Sequence, residues 1–323
     1  MKALRCTDTG LMLEDQCPEP RPSAGEVLIR PRMAGICRTD LELTKGYMGF
    51  HGILGHEFVG EVAEAGAGWE AGVRVVGEIN AGCGTCPYCR KELARHCPHR
   101  TTLGIYNRDG CLAEYMTLPA ANLFRAPDGI PDEILVFTEP LAAVLEIFEQ
   151  IQVRPVDRIC VLGDGKLGLL AALVLAFRHE GESLLVGRHP GKLGLVEDFL
   201  PTLREQELDA VHHKQWDIVI EATGATQGLR QALRLVRPRG TIVLKSTMAG
   251  AEAVDLTPAV IDEVTVVGSR CGRFAPALAW LSRGVLPLDR LIEAVYPLEK
   301  AQEAWAHAVR PGAKKVLILI HPR

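Results

Sequence analysis

Residues 158–173 read RICVLGDGKLGLLAAL. An apolar run, ICVL, leads into Gly163, Gly165 and Gly168, and these lead into a stretch rich in leucine and alanine. The spacing is G-x-G-x-x-G, placed between a strand pattern and a helix pattern. In that setting the first glycine permits a tight turn, the second lets the backbone approach a pyrophosphate, and the third lets the helix pack close.

Downstream the same alternation continues through SLLVG, DIVIEATG, GLRQALRLV, GTIVLKS and VTVVGS. Apolar strands not restricted to one face, separated by helices, imply a parallel sheet covered on both sides, a Rossmann doubly wound α/β domain. Gly163, Gly165, Lys166 and Leu167 are then the phosphate turn of a dinucleotide site. Taken alone, three glycines would also suit an ordinary turn.

An NAD-selective site carries Asp or Glu at the end of the second strand, about 20 residues on. Here that strand ends in Gly187, Arg188 and His189. A glycine leaves room for a 2′-phosphate and an arginine can pair with it, so NADP is favoured over NAD. Thr223 and Gly224, in IEATGA, resemble the loop after the fourth Rossmann strand, which runs beside the cofactor. Arg270 reads equally as a nicotinamide neighbour or a surface arginine.

With 323 residues, two domains are expected. Hydrophobic residues make up 47% and charged residues 24%, and the net charge of -4 gives no reason to expect nucleic acid or an anionic membrane as partner. The longest apolar run, Leu167 to Phe177, falls short of the roughly 18 residues a membrane span needs. No signal peptide is expected at the N-terminus, and ten cysteines without one point to a reducing, cytoplasmic setting. There, clustered thiols imply metal.

Residues 1 to about 125 are strand-like and punctuated by Gly and Pro. Within them Cys83, Cys86, Cys89 and Cys97 follow C-x2-C-x2-C-x7-C, a spacing that lets one loop wrap a tetrahedral zinc. Four thiolates close the coordination shell, so that zinc is structural. A second, looser set comprises Cys37 in GICRTD, His56 and Glu57 in GHEF, and Glu139 in TEPLA. Mixed ligands from distant segments suit an open catalytic zinc, although a lone cysteine or histidine is more often a core residue.

GICRTD, GHEFVGEVAEAG, the four-cysteine loop, TEPLA and VLGDGKLG occur in this order along the chain. Together they make the whole chain resemble the zinc-dependent medium-chain alcohol and polyol dehydrogenases. The resemblance implies a GroES-like, mostly β catalytic domain over 1–139, with a structural-zinc lobe about 80–100. A Rossmann domain over 140–270 follows, then a return to the catalytic domain over 271–323, with the active site in the cleft between the domains.

It also implies roles. Cys37, His56 and Glu139 match ligands of the catalytic zinc, and Glu57 coordinates transiently. Asp40 orients the ligand histidine, and Thr39 takes the alcohol proton. Glu42 stands where many relatives place a relay histidine, so either Glu42 accepts the proton or the ribose hydroxyls and water carry it onward. The implied reaction interconverts an alcohol or polyol and its carbonyl by hydride transfer with NADP or NAD, in a homo-dimer or homo-tetramer. A non-catalytic zinc and nucleotide-binding protein, and a zinc-free quinone or enoyl reductase, are the competing readings. Lys314 and Lys315 read as a basic start to the last strand.

Overall fold

The strand Glu26–Gly35 is the spine of the first half of the chain, and its sequence, EVLIRPRMAG, changes character at Pro31. Before the proline, burial alternates, with Val27 and Ile29 inward and Arg30 out. After it every residue is buried. Pro31 has no N–H to donate, and the pairing with Glu57–Val62 slips in register between Pro31 and Met33, as expected of a bulge. The protein is described here from a computed structural model, over residues 1–8, 10–247 and 253–322.

The chain divides into two compact units: Met1–Glu139 with Arg273–Arg283 and Ile292–Arg323, and Pro140–Gly272 with Gly284–Leu291. In the first unit Glu26–Gly35 lies between Glu57–Val62 and Lys315–Leu319, antiparallel to both. Arg74–Gly77 and Leu123–Arg125 extend one side, Ile292–Pro297 extends the other, and Met116–Pro119 pairs with the start of the spine. The core of this sheet is aliphatic, built from Ile29, Val59, Val62, Val75, Val76, Leu118 and Leu317. A three-stranded sheet of Gly10–Glu14, Ala3–Thr7 and Gly52–Ile53 stands apart from it.

Register decides where the chemistry falls. Gly35 is opposite Glu57 on one side and Leu317 on the other. The N–H of Ile36 donates to the carbonyl of Val316 at 3.0 Å, which fixes the chain as it leaves the sheet at Cys37. Three neighbouring strands therefore converge at Cys37, Glu57 and Lys315.

The second unit holds a six-stranded parallel sheet in the order Thr202–Arg204, Ser183–Gly187, Ile159–Leu162, Trp216–Glu221, Val236–Leu244, Thr265–Gly268. Counted along the chain this is 3-2-1-4-5-6, the Rossmann order, whose reversal point lies at the strand before the glycines. Helix Lys166–Arg178 follows that strand, and its residues from Gly168 to Leu175 are all buried, as its unbroken apolar sequence requires. Helix Thr138–Leu145 has Pro140 in its first turn, where no N–H is needed.

The pattern of the sequence gives no sign of two of these strands. Thr202–Arg204 has a single apolar residue, and Ile292–Pro297 has no fully buried position. Among the described residues no helix is long and apolar enough to cross a membrane.

Candidate functional site

Cys83, Cys86, Cys89 and Cys97 bring their sulfurs within 4.8 Å of one another. A short helix, Pro87–Arg90, carries Cys89 back over Cys86, and the turn Ala94–His96 returns Cys97 to the group. The Cys86 and Cys97 sulfurs are 3.7 Å apart. Tetrahedral bonds of about 2.3 Å from zinc to sulfur require a separation of about 3.8 Å, so the spacing fits.

Backbone N–H groups already point at these sulfurs. Those of Cys83 and His99 donate to Cys97 Sγ at 3.4 and 3.3 Å, and that of Cys89 donates to Cys86 Sγ at 3.4 Å. Thr85, through its hydroxyl and its backbone, and then the Cys86 backbone hold the Cys83 thiol down to about 5. Burial, and then the neighbouring Cys86, Cys97 and Cys83 side chains, push the Cys89 thiol the other way, up to about 11, and a dication would relieve the crowding of four sulfur ligands.

A second group consists of Cys37, His56 and Glu57, whose ligand atoms also lie within 4.8 Å of each other. His56 and Glu57 are buried. Cys37 precedes helix Arg38–Leu43, and Asp40 in that helix reaches back so that its Oδ2 accepts the Cys37 N–H at 2.8 Å. Its Oδ1 accepts the N–H of Gly55 at 3.3 Å and lies 3.1 Å from Nδ1 of His56. That last contact has the distance but not the angle of a good hydrogen bond, and His56 Nδ1 is otherwise without a partner among the described residues.

Burial opposes a charge on His56, but the Asp40 carboxylate, and after it Cys37, raise its pKa well above the ordinary value. A cation among Cys37, His56 and Glu57 would take the place of that proton. A soft, a borderline and a hard donor, one of them a buried imidazole held by a carboxylate, fit zinc with a position left open.

Glu57 is not alone in the interior. Lys315, at the start of the last strand, pairs with Glu57 Oε2, and both side chains are almost wholly buried. This corrects the reading of Lys314 and Lys315 as a basic strand start. Only Lys314 has that character, with its N–H on Glu293 Oε2, while Lys315 points inward and lies 5.7 Å from the centroid of the Phe137 ring. Glu139, at the start of helix Thr138–Leu145, is not among the three groups drawn together around His56.

Thr39 is half-buried in the first turn after Cys37. Glu42 pairs with Arg38 Nε at 2.9 Å and with Lys45 Nζ at 3.1 Å. Its carboxylate is therefore already engaged by two cations.

In the second unit, Gly163 has φ +114, which disfavours any side chain, and a Cβ on Gly168 would sit 1.9 Å from the Gly163 carbonyl oxygen. Lys166 and Leu167 open the helix that follows. Asp164, between the first two glycines, crosses to the end of Ser183–Gly187. Its Oδ2 accepts the N–H groups of Arg188 and His189 at 2.9 and 2.6 Å and lies 3.0 Å from His189 Nδ1. A Cβ on Gly187 would lie 2.5 Å from that of Asp164. The room left by Gly187 is therefore occupied by Asp164.

Glu221, buried at the end of Trp216–Glu221, organises the next loop. Its Oε1 accepts the N–H and hydroxyl of Thr223 at 2.9 and 2.5 Å and the hydroxyl of Ser246 at 3.0 Å. Ser246 Oγ in turn accepts the Gly224 N–H at 2.8 Å. The backbone of Arg270 is fixed by Lys245, whose Nζ donates to the carbonyls of Arg270 and Ala143 at 2.8 and 2.7 Å. Sequence reading passed over Asp164, Glu221 and Lys245, and misread Lys315. The one available signal was a charged residue inside or beside an apolar run, as in VIEATG and KKVLILI.

Comparison with known proteins gives a consistent picture. Residues 23–128 match the model for the alcohol dehydrogenase GroES-like domain, and residues 135–317 match that for the glucose dehydrogenase C-terminus. Sorbitol dehydrogenase of Halalkalibacterium halodurans is 30% identical over 342 residues, covering 98% of this chain and 99% of the relative. Glucose 1-dehydrogenase of Thermoproteus tenax is 35% identical, covering 90% and 92%. A protein of Sinorhizobium meliloti solved bound to NADP superposes with a TM-score of 0.88, at 27% identity and 99% coverage of both chains.

Proposed function

Because this chain belongs to the zinc-dependent medium-chain dehydrogenase family, whose members are oxidoreductases, we propose that it interconverts an alcohol or polyol and its aldehyde or ketone, with NADP favoured over NAD. The observation that carries this reading is the convergence of Cys37, His56 and Glu57 within 4.8 Å. Asp40 behind the histidine and Lys315 behind the glutamate support it.

Cys37 and His56, with the Glu57 oxygen not held by Lys315, would hold the catalytic zinc, and Cys83, Cys86, Cys89 and Cys97 the structural one. Glu139 is kept as a further ligand on resemblance alone. When bound, zinc supplies a Lewis acid for the substrate oxygen and the nicotinamide takes or gives the hydride.

The protein's own residues handle the proton. In the oxidising direction the substrate hydroxyl gives its proton to Thr39, the half-buried hydroxyl beside Asp40, and its carbon-bound hydrogen leaves as hydride. The two electrons lost by the alcohol are those gained by the cofactor. Thr39 passes its own hydroxyl proton to water, since Glu42 is already paired with Arg38 and Lys45.

On the cofactor side, the turn from Gly163 to Leu167 receives the pyrophosphate, Arg188 receives the 2′-phosphate, and Thr223 and Gly224 line the nicotinamide half. Sorbitol and glucose, named for the two relatives, make polyols and aldoses the first substrates to try. A panel of polyols, aldoses and simple alcohols followed at the nicotinamide absorbance band tests the reading. NADP-linked turnover of a polyol or aldose supports it, and none with any member of the panel rejects it.

A cytoplasmic homo-oligomer completes the proposal. Thr265–Gly268 ends the strand order of the parallel sheet, with Val266 exposed. In the preceding helix Val260 and Ile261 are 76% and 74% exposed. An open edge with an apolar flank suits pairing with a second copy.

A further inference from the structure

The acidic residue that NAD-binding sites place at the end of the second strand is missing, since Ser183–Gly187 is followed by Arg188 and His189. An acid nevertheless stands at that place, supplied by the neighbouring strand. Thr202–Arg204 pairs in parallel with Ser183–Gly187, and Gly187 is opposite Arg204. The next residue on each strand, Arg188 and Glu205, therefore emerges side by side. Arg188 Nε donates to Glu205 Oε2, and Nη2 donates to Oε1 at 3.2 Å. The main chain of Arg188 is held from the other side by Asp164.

Two consequences follow from the chemistry of the pair. A guanidinium fork grips carboxylate and phosphate with the same N–H groups, so an anion arriving at Arg188 competes with Glu205 for them. The carboxylate also repels a dianion directly, whereas it attracts a hydroxyl donor. We infer that Glu205 is a selectivity residue: it accepts the ribose 2′-hydroxyl of NAD and opposes the 2′-phosphate of NADP that Arg188 attracts, so that the two side chains together give a site that takes both cofactors. This rests on the assignment of Arg188 to the cofactor's 2′ position.

Calorimetric titration of the full chain with NADPH and NADH, and with 2′,5′-ADP and 5′-AMP as probes that need no turnover, tests the inference. Glu205→Gln should shift the NADPH to NADH affinity ratio toward NADPH by about tenfold, the effect of one charge-assisted contact. Arg188→Ala should shift the ratio the other way, and Glu205→Gln made in that background should strengthen NADPH binding less than it does in wild type, since only the direct repulsion is then relieved. If Glu205→Gln leaves the ratio unchanged while Arg188→Ala lowers it, the role of Glu205 is wrong and that of Arg188 stands. If neither changes it, both are wrong. A gain of equal size without Arg188 would also overturn the inference.

Discussion

Lys315 and Glu57, 258 positions apart in the chain, form a buried ion pair against Cys37 and His56. Removing the lysine alone would leave a carboxylate charged in the interior. Lys315→Met should cost about 3–5 kcal/mol in denaturant unfolding, and adding Glu57→Gln should recover most of the loss. A cost below about 1 kcal/mol, or no recovery, would show that the pair does not hold the strands together.

The same pair predicts the alkaline limit of stability. Burial works to lower the Lys315 pKa, but the charge of Glu57, and then of Cys37, raises it above the ordinary 10.5. A group whose pKa is raised in the folded state stabilises fully below its unfolded value and loses that contribution as pH climbs past the folded one. Wild type should thus keep its advantage over Lys315→Met through neutral pH and lose it above about pH 10.5. An advantage that is flat across that range contradicts the assignment.

Gly168 is a test of the phosphate turn. A methyl group there would collide with the Gly163 carbonyl, 1.9 Å away. Gly168→Ala should cost about 1–3 kcal/mol in stability, by the usual scale of overpacking, and weaken NADPH and NADH alike. Unchanged binding of both would remove the turn from the cofactor site.

How much of this could be read beforehand depends on where each group's partners lie in the chain. The four cysteines span 15 positions and the three glycines six, so the pattern was visible in one window. The parallel sheet followed from alternating strands and helices, but its order did not, and Thr202–Arg204 and, in the other unit, Ile292–Pro297 show no pattern. Lys315 was misread because its role comes from strand pairing with residues near position 35, which no local window contains. Glu205 escaped for the same reason: its place beside Arg188 depends on the register of a strand the sequence does not announce. Asp164 lay in full view, but the direction in which its side chain crosses to Arg188 and His189 is a fact of the turn, not of composition.

The exposed edge at Thr265–Gly268 gives a prediction for assembly. Ile261→Lys together with Val266→Lys should convert the protein to monomers in analytical ultracentrifugation, with its zinc content unchanged. A wild type that is already monomeric, or a double variant that sediments as wild type does, would remove this edge as a contact between copies.

Two zinc ions per chain are assigned, a closed one on four thiolates and an open one at Cys37 and His56. Metal analysis of the purified protein and two variants tests this assignment most directly. Wild type should carry two zinc ions per chain and each of Cys97→Ala and Cys37→Ala one, with NADP-linked turnover lost in the Cys37 variant. One zinc or fewer in wild type, or a Cys37→Ala variant that still carries two, would contradict it.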